Sequence, residues 1–496
     1  MAAGQVEHLI GGEWTPSADG ARFESRDPHD GSLLAEVAAG GAVEADRAVG
    51  SARGAFDAGP WPRMTVEERR VLLHAFADLV DRDAEELAQL DTRDMGKPIR
   101  ESRAMDVPRV ARNLRFFADY AAMAGSEAYP DGARLSYVLY PPAGVVVAIS
   151  PWNFPAMQAS WKIAPALAFG NTVVLKPAEQ SPLSAARLGA LALEAGLPAG
   201  VLNVVQGFGP DAVGEALTRD ARVDRITFTG ESGTGRTIMG AAAANLTPVS
   251  CELGGRSANV VFEDCDLDAA VDGAIRGIFT NNGEVCLAGS RLLVQSSIHD
   301  AFLERFAAAA RALRVGDPKD AATDVGPLVE HKHWEKVDGY VRLAQEEGGE
   351  LLCGGGAPDD EALAGGHYYV PTVLAGMRND MRAVREEIFG PVQCVVPFTD
   401  EQEALRIAND SPYGLAGMLW TSNLDRAHRM AAQWRTGMVW VNCFFERDLR
   451  LPFGGEKASG VGREGGAHSR EFFTDPRAVV IRLAADGTVC NNRLQS

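Results

Sequence analysis

Gly144-Val145-Val146-Val147-Ala148-Ile149 and, after one intervening segment, Thr172-Val173-Val174-Leu175-Lys176 decide the fold. Each is a short unbroken run of aliphatic, mostly β-branched residues, the pattern of a strand covered on both faces in a parallel sheet. Between them, residues 157–169 read as a helix that Gly170 ends, glycine being the residue that tolerates a left-handed cap. Strand, helix and strand in that order make a βαβ unit, because a parallel pair needs a crossover.

The pattern continues outward from this unit. Ser181-Pro182 opens another helix, Val201-Leu202-Asn203-Val204-Val205 reads as a strand, a helix follows around 210–218, and Arg225-Ile226-Thr227-Phe228-Thr229 is the next strand. This half is predicted to be a doubly wound, Rossmann-type sheet. A second alternating region begins with Ala258-Asn259-Val260-Val261-Phe262, a long helical pattern from Asp266, and a strand from Arg291 to Val294. It predicts a second α/β domain beyond a boundary near 251. Toward the N-terminus, residues 64–93 open on the capping-box pattern Thr65-Val66-Glu67-Glu68 and place Val71, Leu72, Phe76, Leu79 and Val80 on one helical face. Leu135–Leu139 and Ala478–Ile481 look like strands outside either alternating region, and unpaired strand edges suggest a subunit contact.

At 496 residues the chain exceeds what one hydrophobic core supports, so at least two domains are expected. A net charge of −19 argues against nucleic acid or an anionic membrane as a partner, since both are held by clustered Lys and Arg. There is no basic-then-apolar leader and no run of membrane-spanning length, which makes the cytoplasm the expected compartment. The seven cysteines form neither a paired framework nor a CxxC spacing, so no disulfide scaffold and no metal site are expected.

Taken singly, the candidate chemical residues are ambiguous. Cys286 follows Asn281-Asn282-Gly283-Glu284-Val285, where backbone amides could stabilise a thiolate, but a lone cysteine is equally a small buried apolar residue. Glu252 before Leu253-Gly254-Gly255 is a base or a turn residue, and Asn153 between Trp152 and Phe154 is a donor or a turn residue.

Seven motifs taken in order remove that ambiguity. They are Ser150-Pro151-Trp152-Asn153-Phe154-Pro155, Val174-Leu175-Lys176-Pro177-Ala178-Glu179, Phe228-Thr229-Gly230-Glu231-Ser232-Gly233-Thr234-Gly235, Glu252-Leu253-Gly254-Gly255, Asn282-Gly283-Glu284-Val285-Cys286, Glu386-Glu387-Ile388-Phe389-Gly390-Pro391 and Pro452-Phe453-Gly454-Gly455. In that order the chain resembles the aldehyde dehydrogenase superfamily over roughly residues 8–484.

The resemblance implies oxidation of an aldehyde to a carboxylic acid with NAD. Cys286 would be the nucleophile, Asn153 with the Cys286 N–H the oxyanion donors, and Glu252 the base that activates water against the thioester. Ser150, Trp152, Lys176, Glu179, Gly230, Glu231, Ser232, Gly235, Glu387 and Phe389 would hold the cofactor. Glu179 favours NAD over NADP, because a carboxylate accepts from free ribose hydroxyls and repels an added phosphate. Gly230–Gly235 lacks the GxGxxG spacing and follows the acidic residue, so the generic dinucleotide fingerprint does not apply while the family's own variant does.

The resemblance also implies a division of the chain. Residues 1–120 and 144–250, with part of 453–473, would form the NAD-binding domain, and 251–452 the catalytic domain. Residues 121–143 and 474–496 would form β segments that build a homodimer or homotetramer.

Within the superfamily the chain is most similar to the 2-hydroxymuconate and 2-aminomuconate semialdehyde dehydrogenases, through Arg109 and Arg447. These arginines would bind a substrate carboxylate bidentately. Arg112, Arg115 and Arg450 read as surface ion-pair partners, and Glu446 as an acid placed to neutralise Arg447. The competing expectations are a broad-specificity or betaine-type dehydrogenase, a CoA-acylating enzyme, against which Glu252 argues, and a non-enzymatic protein that keeps the fold.

Overall fold

Val145–Ile149, Thr172–Lys176, Leu202–Val204, Arg225–Thr229 and Val249–Glu252 form the parallel centre of an eight-stranded sheet. The structure is a computed structural model and describes residues 4–131 and 133–483. The chain starts in the middle with Val145–Ile149, winds outward to Leu202–Val204, then crosses back to place Arg225–Thr229 and Val249–Glu252 on the other side. Winding therefore reverses between Val145–Ile149 and Arg225–Thr229. Their carboxyl ends open a crevice, the usual ligand position in such sheets.

The deciding strands are buried along their whole length because both faces are covered. Val145 and Val147 pack with Ala48 and Val49 of the helix Ala42–Asp57. Val146 and Ala148 pack on the other side with Ala159 and Ile163 of Pro155–Ala168. Antiparallel strands His8–Ile10 and Glu13–Thr15 extend one edge, and Gly460–Val461 extends the other.

From Glu252 the chain crosses through 253–257 into a second sheet of seven strands. In lateral order these are Glu350–Cys353, Thr372–Ala375, Val392–Phe398, Arg291–Gln295, Ala258–Val261, Ala416–Trp420 and Met438–Val441. Glu350–Cys353 is the antiparallel edge. Ala128–Asp131, Arg134–Leu139 and Arg477–Arg482 pair antiparallel in a separate small sheet, on which Tyr129, Leu139 and Val480 are exposed. Of the segments expected to oligomerise, Gly132 and residues 484–496 lie outside the described residues. Among the described residues no helix is long and apolar enough to cross a membrane.

Two local expectations change. The capping box forms, with Glu68 N donating to Thr65 Oγ1 at 3.2 Å and Thr65 N to Glu68 Oε2 at 2.7 Å. The stretch is nevertheless two helices, Val66–Arg82 and Ala84–Met95, broken at Asp83, whose carboxylate is held by Arg82 and Arg187. Val71 is exposed, and the buried face runs through Leu73, Phe76, Ala77 and Val80, the spacing of three and four that one helical stripe requires.

Candidate active site

Strand register brings the first group of side chains together. Ile149 lies opposite both Lys176 and Phe228, and Thr229 lies opposite Glu252. Ser150–Asn153, Lys176–Glu179, Gly230–Ser232 and Glu252 therefore leave four neighbouring strands at a single rim.

The loop that carries Cys286 faces this rim from the side of the second sheet. The helix Leu267–Phe279 ends in Thr280–Gly283, where Asn281 and Asn282 adopt left-handed backbone at φ 51° and 57°. Asparagine tolerates that region better than most side chains, and here hydrogen bonds offset the strain. Asn281 Nδ2 donates to the Asn153 carbonyl at 2.9 Å and to the Glu284 carbonyl at 3.1 Å. Asn282 Nδ2 donates to the carbonyls of Gly96 (3.1 Å) and Pro327 (2.9 Å). Asn153 is buried, and its Nδ2 donates to the Glu284 carbonyl at 2.8 Å. One N–H of that amide is thus committed to the nucleophile loop and the other is left for a ligand.

Two cavities meet at Cys286, which lines both. The larger, about 1110 Å³, is walled by Trp152, Asn153, Gly230, Glu231, Glu387 and Phe389 among the predicted residues. The smaller, about 620 Å³, is walled by Phe154, Trp161, Phe445 and Phe453 with Arg109 and Arg447. A thiol at this junction reaches a ligand in either space.

Burial pushes the Cys286 thiol up to about 12, with Glu387 and Glu252 adding to the effect. Burial and then Glu464 hold the Glu252 carboxyl well above the usual carboxylate range, while Lys162, Arg447 and Arg463 oppose them. Glu252 lines neither cavity in this conformer. Both its carboxylate oxygens are buried without a hydrogen-bond partner, and a Cβ on Gly454 would stand 2.6 Å from Oε1. Gly454, at φ 148°, is needed for that approach. Desolvation disfavours the charged form, so this carboxyl holds its proton more tightly than an exposed glutamate does.

In the larger cavity, Glu387 Oε1 accepts from Gly255 N at 2.8 Å, and any side chain at Gly254 would collide with its carboxylate. Phe389 sits at φ 65°, its carbonyl accepting from His333 Nε2 at 2.7 Å. Its ring meets Trp152 edge-on at 5.4 Å between centroids. Ser150, Lys176, Glu179, Ser232 and Gly235 do not line this cavity. They stand on adjoining strand ends or on the first turn of the helix Ser232–Ala243. Lys176 Nζ pairs with Glu179 at 3.0 Å, Ser150 Oγ is buried without a partner, and Ser232 Oγ donates to the Ala458 carbonyl at 2.9 Å. Gly235 lets that helix approach Leu253, which a Cβ would meet at 2.6 Å.

In the smaller cavity neither Arg109 nor Arg447 has an ion-pair partner among the described residues. The Arg447 guanidinium lies 3.8 Å from the Phe453 ring centroid and 4.4 Å from that of Trp161, with Nη2 buried and unpartnered. Burial pulls Arg447 down to about 9, with Arg109 second among the causes. Arg115 pairs instead with Asp78 and Asp81, and Arg450 with Asp448, as surface arginines do. Glu446 is exposed and forms no ion pair with Arg447; the contact here is Trp440 Nε1 donating to its carbonyl at 2.8 Å.

A model of the aldehyde dehydrogenase family matches residues 14–479. The chain belongs to that family. It is 46% identical over 485 residues to a 2-hydroxymuconic semialdehyde dehydrogenase of Pseudomonas sp. (strain CF600), covering 97% of this chain and all of that one. It is 48% identical over 471 residues to the 5-carboxymethyl-2-hydroxymuconate semialdehyde dehydrogenase of Escherichia coli, covering 94% of this chain and 98% of that one. A crystal structure of an indole-3-acetaldehyde dehydrogenase complexed with NAD+ superposes with a TM-score of 0.94 at 45% identity, over 96% of this chain and 97% of that one.

The dehydrogenase site contains residues that no sequence motif pointed to. Glu464 Oε1 accepts from Lys162 Nζ at 3.1 Å and from Thr227 Oγ1 at 3.3 Å, and Oε2 accepts from Trp161 Nε1, which builds a buried polar group beside Glu252. His333 closes an aromatic wall with Trp152 at 5.4 Å. Lys162 lies inside an apolar helix and Glu464 and His333 lie in ordinary polar stretches, so only tertiary proximity identifies them. The three left-handed residues Asn281-Asn282-Gly283 did have a sequence signal, since these are the residue types that adopt that backbone.

Proposed function

We propose that this aldehyde dehydrogenase oxidises a carboxylate-bearing semialdehyde, such as 2-hydroxymuconate or 2-aminomuconate 6-semialdehyde, to the free acid with NAD. The observation that carries the reading is that Cys286 is shared by a large crevice at the sheet switch point and a funnel holding two arginines without ion-pair partners among the described residues.

The larger cavity fits NAD. It lies at the carboxyl ends of the strands, beside a helix N-terminus suited to pyrophosphate, with Trp152 and Phe389 in its walls. Glu179 and Lys176 would take the adenosine ribose, and Glu387 with Phe389 the nicotinamide ribose and ring. Bound there, NAD supplies the hydride acceptor for the oxidation. Cys286 Sγ adds to the aldehyde carbon once its proton has passed to a base. The Asn153 amide and the Cys286 N–H donate to the oxyanion, and after oxidation the acyl group stays on Cys286 as a thioester. Glu252 then takes a proton from water, and hydroxide attack frees the acid. Asn153→Ala is expected to lower kcat by about 10²–10³-fold with little change in KM, measured by steady-state NADH formation.

Arg109 and Arg447 would hold the substrate carboxylate, the local positive charge offsetting a protein of net charge −19. Arg109→Ala or Arg447→Ala is expected to raise KM for an anionic semialdehyde by roughly 10- to 100-fold, the scale of one charge-assisted contact. For a neutral aldehyde the change should be below about threefold, since it loses no such contact. Equal shifts for both substrates would contradict the anchor and favour a broad-specificity enzyme. The same reading makes the Rossmann-type half the NAD-binding domain, the second sheet the catalytic domain, and the small exposed sheet the contact for a homodimer or homotetramer in the cytoplasm.

A further inference from the structure

We infer that Lys97 is a specificity-positioning residue: it holds the Asp106 carboxylate away from Arg109 and so leaves the Arg109 guanidinium to the substrate. This rests on the anchor reading of Arg109.

Lys97 is fully buried and its ammonium pairs with the equally buried Asp106. It also lies 3.8 Å over the face of Phe154, which lines the funnel. Asp106 closes the π-helical turn Ser102–Asp106, and Arg109 stands three residues on, in the first turn of Val107–Met123. Residues three apart on a helical backbone are neighbours, so Asp106 is the acid best placed to capture Arg109. Its charge is felt there, raising Arg109 against the lowering effects of burial and Arg112. Arg109 nonetheless has no ion-pair partner among the described residues; Asp106 turns Oδ2 to Lys97, and its Oδ1 is buried without a hydrogen-bond partner.

The position of Lys97 is fixed independently of Arg109. Gly96, left-handed at φ 83°, accepts from Asn282 Nδ2, and Glu101 Oε2 accepts from Asn281 N at 2.8 Å. The segment that carries Lys97 is thereby bound at both ends to the nucleophile loop. Without the ammonium, Asp106 would be a buried carboxylate lacking a partner, a costly state, and Arg109 is the other cation that acts on it. The substrate would then compete with Asp106 for the same guanidinium.

The test compares KM for an anionic semialdehyde and for hexanal in Lys97→Met and in Lys97→Met/Asp106→Asn. In the single variant KM for the anionic substrate should rise about tenfold, the cost of losing a charge-assisted contact, with hexanal unchanged. In the double variant, which removes the competing carboxylate, the discrimination should return. Equal shifts for the two substrates, or no recovery in the double variant, would overturn the proposal. If Lys97→Met does not fold, Asp106→Asn alone carries the test: retained discrimination supports the proposal and lost discrimination overturns it. Arg109→Ala measured alongside separates the two readings. If that variant keeps the discrimination, the anchor reading fails and this proposal with it. If it loses the discrimination while Lys97→Met keeps it, only the role of Lys97 fails.

Discussion

Cys286→Ala is expected to reduce aldehyde-dependent NADH formation by roughly 10⁴-fold or more, the scale of deleting a covalent nucleophile. Alanine keeps the Cβ and the surrounding packing, so the funnel and the cofactor crevice should survive. What disappears is the sulfur at the junction of the two cavities. The aldehyde thereby loses the thiol that lines both cavities, and the neighbouring donors from Asn153 and the loop stabilise charge but form no bond. Binding of NAD, followed by quenching of tryptophan fluorescence, should change less than threefold, since the sulfur contributes little to the crevice wall. Residual turnover within tenfold of the parent would show that another group does the chemistry.

The second large effect is at Glu252. Glu252→Gln should lower steady-state kcat by about 10²–10⁴-fold, the usual contribution of a general base. It should still release a burst of NADH of about one per active site, because thioester hydrolysis follows the redox step. The pH dependence follows from the environment of the group. Burial and Glu464 raise its protonation range, and only the ionised carboxylate accepts a proton from water. Turnover limited by hydrolysis should therefore rise with pH over a range above that of an ordinary carboxylate in the parent protein and flatten in the glutamine variant. A variant without the burst would place Glu252 before the redox step, as the base for the thiol.

The first sheet was legible because its strands are covered on both faces. Val145–Ile149 is aliphatic throughout, and Thr172–Lys176 and Arg225–Thr229 are rich in β-branched residues and buried along almost their whole length. The edge strands His8–Ile10 and Gly460–Val461 were not legible, since they join the sheet by pairing with chain far away in sequence. The break at Asp83 was hidden for a different reason. The apolar stripe continues across it, and the arginines that hold the carboxylate include one from a distant helix.

At the site, the motifs named Cys286, Asn153 and Glu252, yet motif identity carries no information about the conformer of Glu252 or its packing against Gly454. Arg109 and Arg447 could be named from the sequence, but their lack of partners could not. Arg115 and Arg450 lie only a few residues from them in the chain and are paired. What sets Arg447 apart is its place against Trp161 and Phe453, which lie roughly 300 residues apart in the chain. The same holds for Lys162, Glu464 and Lys97, whose significance lies in which acid each one faces.

The most direct test of a thioester on Cys286 is the mass of the enzyme itself. Glu252→Gln mixed with NAD and an aldehyde, quenched in acid within seconds and digested, should give a peptide containing Cys286 that is heavier by the acyl group. Omitting NAD should abolish that adduct. An NADH burst without the adduct, or an adduct on a different cysteine, would contradict the assignment of Cys286 as the nucleophile.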